Sequence, residues 1–189
     1  IAEPTTAENT PFSYTAFTNT TYDLTRCTNL VSIGDNVFNR KEGSVVGIAE
    51  NLSKLTSIGK NAFYNSITGL YDENESIKLP AIKTIGDNAF YGCEGLKSVI
   101  LGEELESIGE YAFANCRRIE DIYLSSTIKS LGNYVFLNCY NLQTASIDSN
   151  ILSEGIFDSC SRLTVIIGMS DITIIPNRAF YSCSVLSDV

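Results

Sequence analysis

The residues best suited to chemistry in this sequence are six cysteines: Cys27, Cys93, Cys116, Cys139, Cys160 and Cys183. Cysteines can pair as disulfides, bind zinc or act as nucleophiles, but no two of these have the C-x-x-C spacing of zinc and redox motifs. The last five each follow a phenylalanine by three residues, and they recur at intervals of 23, 23, 21 and 23 residues. Such regular placement is typical of a repeat. We therefore predict a ladder of buried, reduced thiols, with Cys27 as the most exposed of the six.

The sequence offers little else for catalysis or metal binding. It has no histidine, which removes Ser-His and Cys-His nucleophile pairs, histidine metal ligands and the commonest general base. Two acidic runs, at 72–75 and 103–106, suggest calcium, but neither has the spacing of a calcium loop, and solvated charge is the simpler interpretation. We expect no catalytic residue, no cofactor site and no metal site.

Charge and hydropathy also limit the choice of partners. The 189 residues include 13 basic and 22 acidic side chains, a net charge of −9, whereas nucleic-acid-binding surfaces need basic stripes. No apolar run reaches the roughly 18 residues that span a bilayer. We expect neither nucleic-acid binding nor membrane insertion.

A phenylalanine marks each of seven repeat units. The anchors are Phe38, Phe63, Phe90, Phe113, Phe136, Phe157 and Phe180, with spacings of 25, 27, 23, 23, 21 and 23 residues. Self-similarity at this period predicts a solenoid. We divide the chain into an N-terminal extension, residues 1–21, and a repeat domain, residues 22–189. In the extension, Phe12, Tyr14 and Phe17 are expected to cap the first coil.

Each unit has two halves with different patterns. The first half, L-x-x-V-x-L, alternates with period two and predicts a short strand, which stacked coils would align into a parallel sheet. The second half, I-G-x-x-A-F-x-x-C, predicts a tight turn followed by one helical turn, α or 3₁₀. The fold class predicted is a β-rich α/β repeat solenoid.

The glycine that opens the second half recurs in five units, but Ser153 and Pro176 take its place in the last two. Proline fixes φ near −65°, so this position does not require a positive φ. We expect glycine there because neighbouring backbones approach closely.

Outward positions of the predicted strands form the candidate partner-binding face. They are Ser98, Ile100, Asp121, Tyr123, Thr144, Ser146, Val165 and Ile167. Ile100, Tyr123 and Ile167 fall near one row, which Ser146 interrupts. Exposed apolar groups of this kind can mark a partner site, and they can equally reflect the preference of β-branched residues for strands. The sequence leaves both interpretations open.

The segments LESIGEYAFANC, at 105–116, and IKTIGDNAFYGC, at 82–93, resemble the BspA-like class of leucine-rich repeats. The resemblance extends from about Tyr22 to Val189. It implies a right-handed arc with a concave parallel sheet, found on secreted or surface proteins of host-associated bacteria and some protozoa, where it mediates adhesion. The family's motif residues are structural, so the resemblance assigns no catalytic or binding position. Lys41 and Ser66 replace the motif cysteine in the first two units.

The repeat pattern predicts an extended binding surface, and the resemblance implies a secreted or cell-surface module. We therefore expect a module that binds a protein or glycoprotein partner, with a signal segment already removed. The alternative is a passive spacer that presents another domain. Three N-x-S/T sites, at Asn19, Asn51 and Asn74, would matter only in a eukaryotic secretory route. At the other end, Leu186-x-x-Val189 opens a further strand, so we expect either more coils or self-association through this edge.

Overall fold

The computed structural model describes residues 27–39, 52–66 and 76–187, together with the backbone of two short strands, Tyr22–Asp23 and Val46–Gly47. Several expectations lie outside these residues. They are the aromatic cap at Phe12, Tyr14 and Phe17, the acidic run at 72–75, and the sites at Asn19, Asn51 and Asn74.

The predicted L-x-x-V-x-L strands are present and parallel. Their bounds are Ser76–Leu79, Ser98–Leu101, Asp121–Leu124, Thr144–Ile147 and Val165–Ile167. The first two pair with each other, and the last three form a second ladder with Thr144–Ile147 at its centre. The two ladders adjoin where the Glu120 N–H donates to the Lys97 carbonyl at 3.1 Å. We call the outward side of these five strands the long-strand face.

Alternation along these strands follows the prediction. Val99 and Leu101 are buried, as are Ile122 and Leu124 on the next strand, because successive side chains of a strand point to opposite faces. The parallel stacking of coils is thereby confirmed. That the long-strand face is the concave one stays a prediction.

A second parallel sheet, which the sequence pattern did not reveal, lies just before the repeated glycines. Its five strands have two residues each: Ser32–Ile33, Ser57–Ile58, Thr84–Ile85, Ser107–Ile108 and Ser130–Leu131. They pair in sequence order. The glycine after each of the last four strands extends the ladder; for example, the Gly86 N–H donates to the Ile58 carbonyl at 2.8 Å. We call this the short-strand sheet.

The prediction of a helical return after the glycine is wrong. Of the described residues, only Met169–Asp171 form a helix, a 3₁₀ turn that follows the last long strand. The return, the half of each coil that begins at the glycine, consists of consecutive turns. Successive backbone N–H groups there donate alternately within their own coil and to the next coil. The Tyr64 N–H donates within its own coil, to Asn61, whereas those of Phe63 and Asn65 donate to carbonyls of the next coil, both at 2.7 Å. A helix would keep all of these bonds within one coil.

Seven stacked phenylalanines form the centre of the core. Centroids of neighbouring rings lie 5.1–6.0 Å apart from Phe38 through Phe180, and the planes are within 14° of parallel. The five inner rings are fully buried. Since each ring contacts only the rings before and after it, the core is a one-dimensional stack. No helix within the described ranges has the length and apolarity to cross a membrane.

Candidate functional site

The long-strand face brings all eight predicted residues together. In the three-stranded ladder, Asp121, Thr144 and Val165 occupy one row, and Tyr123, Ser146 and Ile167 occupy the next. Ser98 and Ile100 lie on the adjoining strand. None of the eight is buried. Their shared face is therefore observed, while their role in binding stays a prediction.

Two large apolar side chains on this face are exposed. Ile100 is 50% exposed and Ile167 is 55% exposed. Tyr123 lies between them, partly buried, and its hydroxyl donates to Asp148 Oδ2 at 2.8 Å. This bond, with smaller contributions from burial and from the charges of Asp148 and Glu103, raises the pKa of Tyr123 to about 12. The phenol is therefore neutral at physiological pH and held in one orientation.

Acidic side chains outnumber basic ones on and beside this face, where Lys78 occupies the position next to Ile100 on the first long strand. Between Ser98 and Ile167 the outward strand positions carry a single charged side chain, Asp121. Asp148 and Glu103 lie exposed just beyond the carboxyl ends of the strands. The alternation that predicts the outward positions Thr144 and Ser146 continues to Asp148, one residue beyond its strand. It does not point to Glu103, which follows its strand by two residues.

The acidic run at 103–106 opens onto a shallow groove of about 380 Å³, lined by Lys83, Glu103, Glu104, Glu106, Ser126, Thr127 and Lys129. Two of its glutamates are paired with lysines: Glu104 with Lys83 at 3.3 Å and Glu106 with Lys129 at 3.2 Å. Over the described ranges, no three His, Cys, Asp or Glu side chains converge as metal ligands would. The groove is an ion-paired surface, and the structure favours solvated charge over calcium there.

The thiol ladder is structural. Every described cysteine is unpaired; Cys93, Cys116, Cys139 and Cys160 are buried, while Cys27 and Cys183 are partly exposed. Each of the last five donates its Sγ–H to the carbonyl of the phenylalanine one coil earlier, at 3.0–3.3 Å. Burial raises the pKa of Cys116, Cys139 and Cys160 well above the ordinary range. The prediction of buried, reduced thiols is confirmed for these inner positions, although the sequence gave no sign of the bond to the carbonyl.

A buried carboxylate that sequence analysis missed joins the last two described coils. Asp158 is 1% exposed, and Arg178 Nε and Nη2 each contact its Oδ2 at 2.7 Å. Ser159 donates to the other oxygen at 2.8 Å. The guanidinium also lies over the ring of Tyr181, 4.1 Å from its centroid. Because the carboxylate is fully engaged, this cluster fixes the register of the coils and offers no free group to a substrate.

Comparison with known proteins agrees with this architecture. A family model described as "BspA type Leucine rich repeat region" matches residues 5–74 and 57–187, in six copies. No curated protein matches the chain.

Two solved structures share the fold. A leucine-rich repeat protein from Eubacterium ventriosum is 20% identical, with a TM-score of 0.57, over 83% of this chain and 47% of its own. A leucine rich cell surface protein from Faecalibacterium prausnitzii is 25% identical, with a TM-score of 0.56, over 85% of this chain and 51% of its own. The chain thus spans about half the length of each.

Proposed function

Because the chain belongs to the BspA-type leucine-rich repeat proteins, we propose that it is a binding module whose long-strand face contacts a macromolecular partner, a protein or a glycoprotein. Domains built from leucine-rich repeats commonly mediate protein interactions. The role as a binding module rather than a passive spacer rests on one feature of this chain, the exposed apolar row on the long-strand face.

The proposal rests on this row, which contains Ile100, Tyr123 and Ile167. The inward neighbours of Ile100, Val99 and Leu101, are at most 8% exposed, whereas Ile100 itself is half exposed. Ile167, at the other end of the row, is equally exposed. Large apolar side chains clustered on a protein surface are typical of partner sites. Here the ladder hydrogen bonds hold them on a rigid sheet, so little conformational entropy is lost on binding.

An extended face suits a macromolecule better than a small substrate. Small-molecule sites are concave pockets that enclose most of the ligand, whereas the groove described above is shallow and lined by ion pairs. The inner thiols are buried in the core as neutral groups. We therefore propose a binding role without catalysis.

We further propose that the module acts outside the cell or on its surface. The support is the family itself and the similar structure from Faecalibacterium prausnitzii, which is described as a cell surface protein. Protease treatment of intact source cells tests this: the module should be digested while a cytoplasmic marker survives. Survival of the module with the marker would contradict an external location.

The binding proposal is tested with a defined panel of extracellular-matrix and mucosal glycoproteins. The chain and a variant with both Ile100→Ser and Ile167→Ser are applied to each immobilised protein. A matched control carries Val31→Ser and Ile174→Ser, which remove two exposed apolar groups, 54% and 73% exposed, away from the face. We expect the first variant to lose at least about tenfold in affinity and the control to bind like the original chain. If both variants bind equally well, or nothing binds, a passive spacer is the better interpretation.

A further inference from the structure

Three carboxylates lie on or just beyond the strands of the long-strand face. Across the described ranges, Asp121, Asp148 and Glu103 form no salt bridge. Elsewhere, some carboxylates pair with a basic side chain, as Glu104 and Glu106 do with Lys83 and Lys129, and others, such as Asp35 and Glu110, form no salt bridge among the described residues. The three acids without a salt bridge lie near Tyr123: Asp121 is two residues away on the same strand, Asp148 accepts from its hydroxyl and Glu103 acts on its pKa. The middle of the exposed apolar row is therefore next to negative charge.

We propose that the partner segment that docks on this face is extended and carries a lysine or arginine flanked on both sides by apolar side chains. This inference rests on the proposed function and adds the chemistry of the partner. A cationic group would lie beside Tyr123, within reach of Asp148 and Asp121. The flanking apolar groups would cover Ile100 and Ile167.

The spacing of the row supports an extended segment. Ile100 and Ile167 are separated by three strand-to-strand steps, about 14 Å at roughly 4.8 Å each. In an extended peptide, residues i and i+4 point to the same side and lie about 13 Å apart at roughly 3.3 Å per residue. Residue i+2 would then fall near the middle of the row, where Tyr123 donates to Asp148. The pattern apolar-x-basic-x-apolar thus matches the face in length and in charge.

Physical chemistry disfavours an acidic segment in the same place. Binding would remove water from Asp121, Asp148 and Glu103 without providing a counter-charge, and the loss of hydration would oppose association. A basic side chain supplies the counter-charge and benefits in addition from the face of the Tyr123 ring.

Two synthetic peptides test the inference. They share the pattern Leu-x-Lys-x-Leu or Leu-x-Glu-x-Leu, with identical uncharged residues at all other positions, and their binding is followed by NMR titration of the isotope-labelled chain. We expect the lysine peptide to bind at least about tenfold more tightly at low ionic strength. The difference should shrink as salt is added, and the perturbed signals should include those of Tyr123 and Ile100.

Variants that replace carboxylates with amides test whether the preference for the lysine peptide arises on the long-strand face. The double variant Asp121→Asn with Asp148→Asn keeps an acceptor for Tyr123 and should abolish the preference for the lysine peptide. The matched control, Asp35→Asn with Glu110→Gln, removes two exposed charges from the return turns and should leave the preference intact. The inference is overturned if the two peptides bind equally, if neither binds, or if the preference survives in the first variant.

Different results would contradict the two proposals, the binding face and the cationic partner segment. If an extracellular protein from the panel binds through Ile100 and Ile167 while the peptides show no preference for lysine, the binding face stands and the cationic partner is wrong. If the isoleucine variant binds the whole panel normally, the binding face itself is wrong.

Discussion

The position three residues after the anchor phenylalanine shows how one side-chain atom, oxygen or sulfur, affects the stability of a coil. Most units place cysteine three residues after the anchor phenylalanine, but Ser66 occupies the slot after Phe63. Ser66 is fully buried, and its Oγ finds no hydrogen-bond partner among the described residues. The cysteines in later coils reach the carbonyl of the preceding phenylalanine; Cys93, for example, contacts Phe63 O at 3.1 Å. The longer bond from carbon to sulfur allows this contact, which the serine hydroxyl does not make.

Ser66→Cys should therefore stabilise the protein. The change replaces an unsatisfied buried hydroxyl, which costs about 1–3 kcal/mol, with a less polar group that extends the thiol ladder. We expect the free energy of unfolding in urea to rise by about 1 kcal/mol. The control Ser161→Cys, at an exposed position, should leave it unchanged. A loss of stability in Ser66→Cys would show that the slot is too small for sulfur.

Thiol reactivity should follow the position of each cysteine in the ladder. Cys27, partly exposed and outside the regular ladder, should react first with iodoacetamide, and the buried Cys93, Cys116, Cys139 and Cys160 last. Burial raises the pKa of Cys183 to about 11. Because only the thiolate reacts, its rate should continue to rise as pH approaches 11. Mass spectrometry of the alkylated native protein measures the order, and unfolding in urea should make all six equally reactive. Native disulfides between ladder cysteines would contradict this account.

At the scale of the element, the repeated glycine determines where the short-strand sheet ends. A Cβ built on Gly86 would lie 2.6 Å from the Lys60 nitrogen and 2.7 Å from the Gly59 carbonyl carbon. The glycines of this slot have no positive φ, so close approach of neighbouring backbones is the reason for glycine, as predicted. In the two coils that carry Ser153 and Pro176 instead, no short strand forms. The side chain keeps the backbones apart, and proline has no N–H to donate.

Gly86→Ala should accordingly destabilise the central coils. The added methyl group must push against backbone atoms, and overpacking of this kind typically costs about 1–3 kcal/mol. Urea denaturation should show that loss. Ser153→Ala, in the same slot of a later coil, should be neutral or slightly stabilising because the Ser153 hydroxyl is buried without a partner in the described structure. Equal effects of the two substitutions would contradict close approach as the role of the glycine.

Sequence patterns predicted an element correctly where one repeat unit has enough residues to reveal its conformation. Period-two alternation revealed the long strands, and the occurrence of Pro176 revealed that the glycine slot needs no positive φ. The short strands were not predicted because two residues are too few to show alternation. The return turns were misassigned because apolar positions at i, i+1 and i+4 fit a helix as well as a series of turns. The asparagines at Asn61 and Asn65, which adopt φ of 52° and 51°, were the available sign, since asparagine tolerates the left-handed region.

For the binding face, sequence patterns identified the outward residues but not their charge environment. The positions of Ile100, Tyr123 and Ile167 follow from alternation within each strand. The bond from Tyr123 to Asp148 joins neighbouring coils, and its formation depends on a register between strands that one unit does not encode. The same is true of the pair formed by Asp158 and Arg178.

At the scale of the whole molecule, stability depends on contacts between neighbouring coils. Phe113 is fully buried, with its ring 5.1 Å from that of Phe90 and 5.5 Å from that of Phe136. Phe113→Ala should cost about 3–5 kcal/mol. Hydrogen exchange should accelerate in both adjacent coils, since each loses a stacking neighbour. The exposed Tyr181→Ala serves as the control with little effect on those coils. Unchanged exchange around Phe90 and Phe136 would argue against a one-dimensional core.

The last described coil presents an edge suited to further stacking. In the coil before it, the N–H groups of Gly155, Phe157 and Ser159 donate to the next coil at 2.7–3.0 Å. The equivalent N–H groups of Arg178, Phe180 and Ser182 have no acceptor within the described ranges. Ile175 is 62% exposed, although four of its equivalents in the short-strand sheet are buried: Ile33, Ile58, Ile85 and Ile108. These donors and this apolar surface form a template for another coil.

When the 189 residues are produced by themselves, we predict that they self-associate through this edge, whereas in a longer chain further coils would cover it. The weight-average mass of the 189-residue chain in sedimentation equilibrium should rise with concentration, because association would cover Ile175 and satisfy the free N–H groups. Ile175→Lys places a charge at the edge and should keep the chain monomeric. Ile100→Lys puts the same charge on the long-strand face and should leave association unchanged. A chain that stays monomeric at every concentration would contradict this prediction.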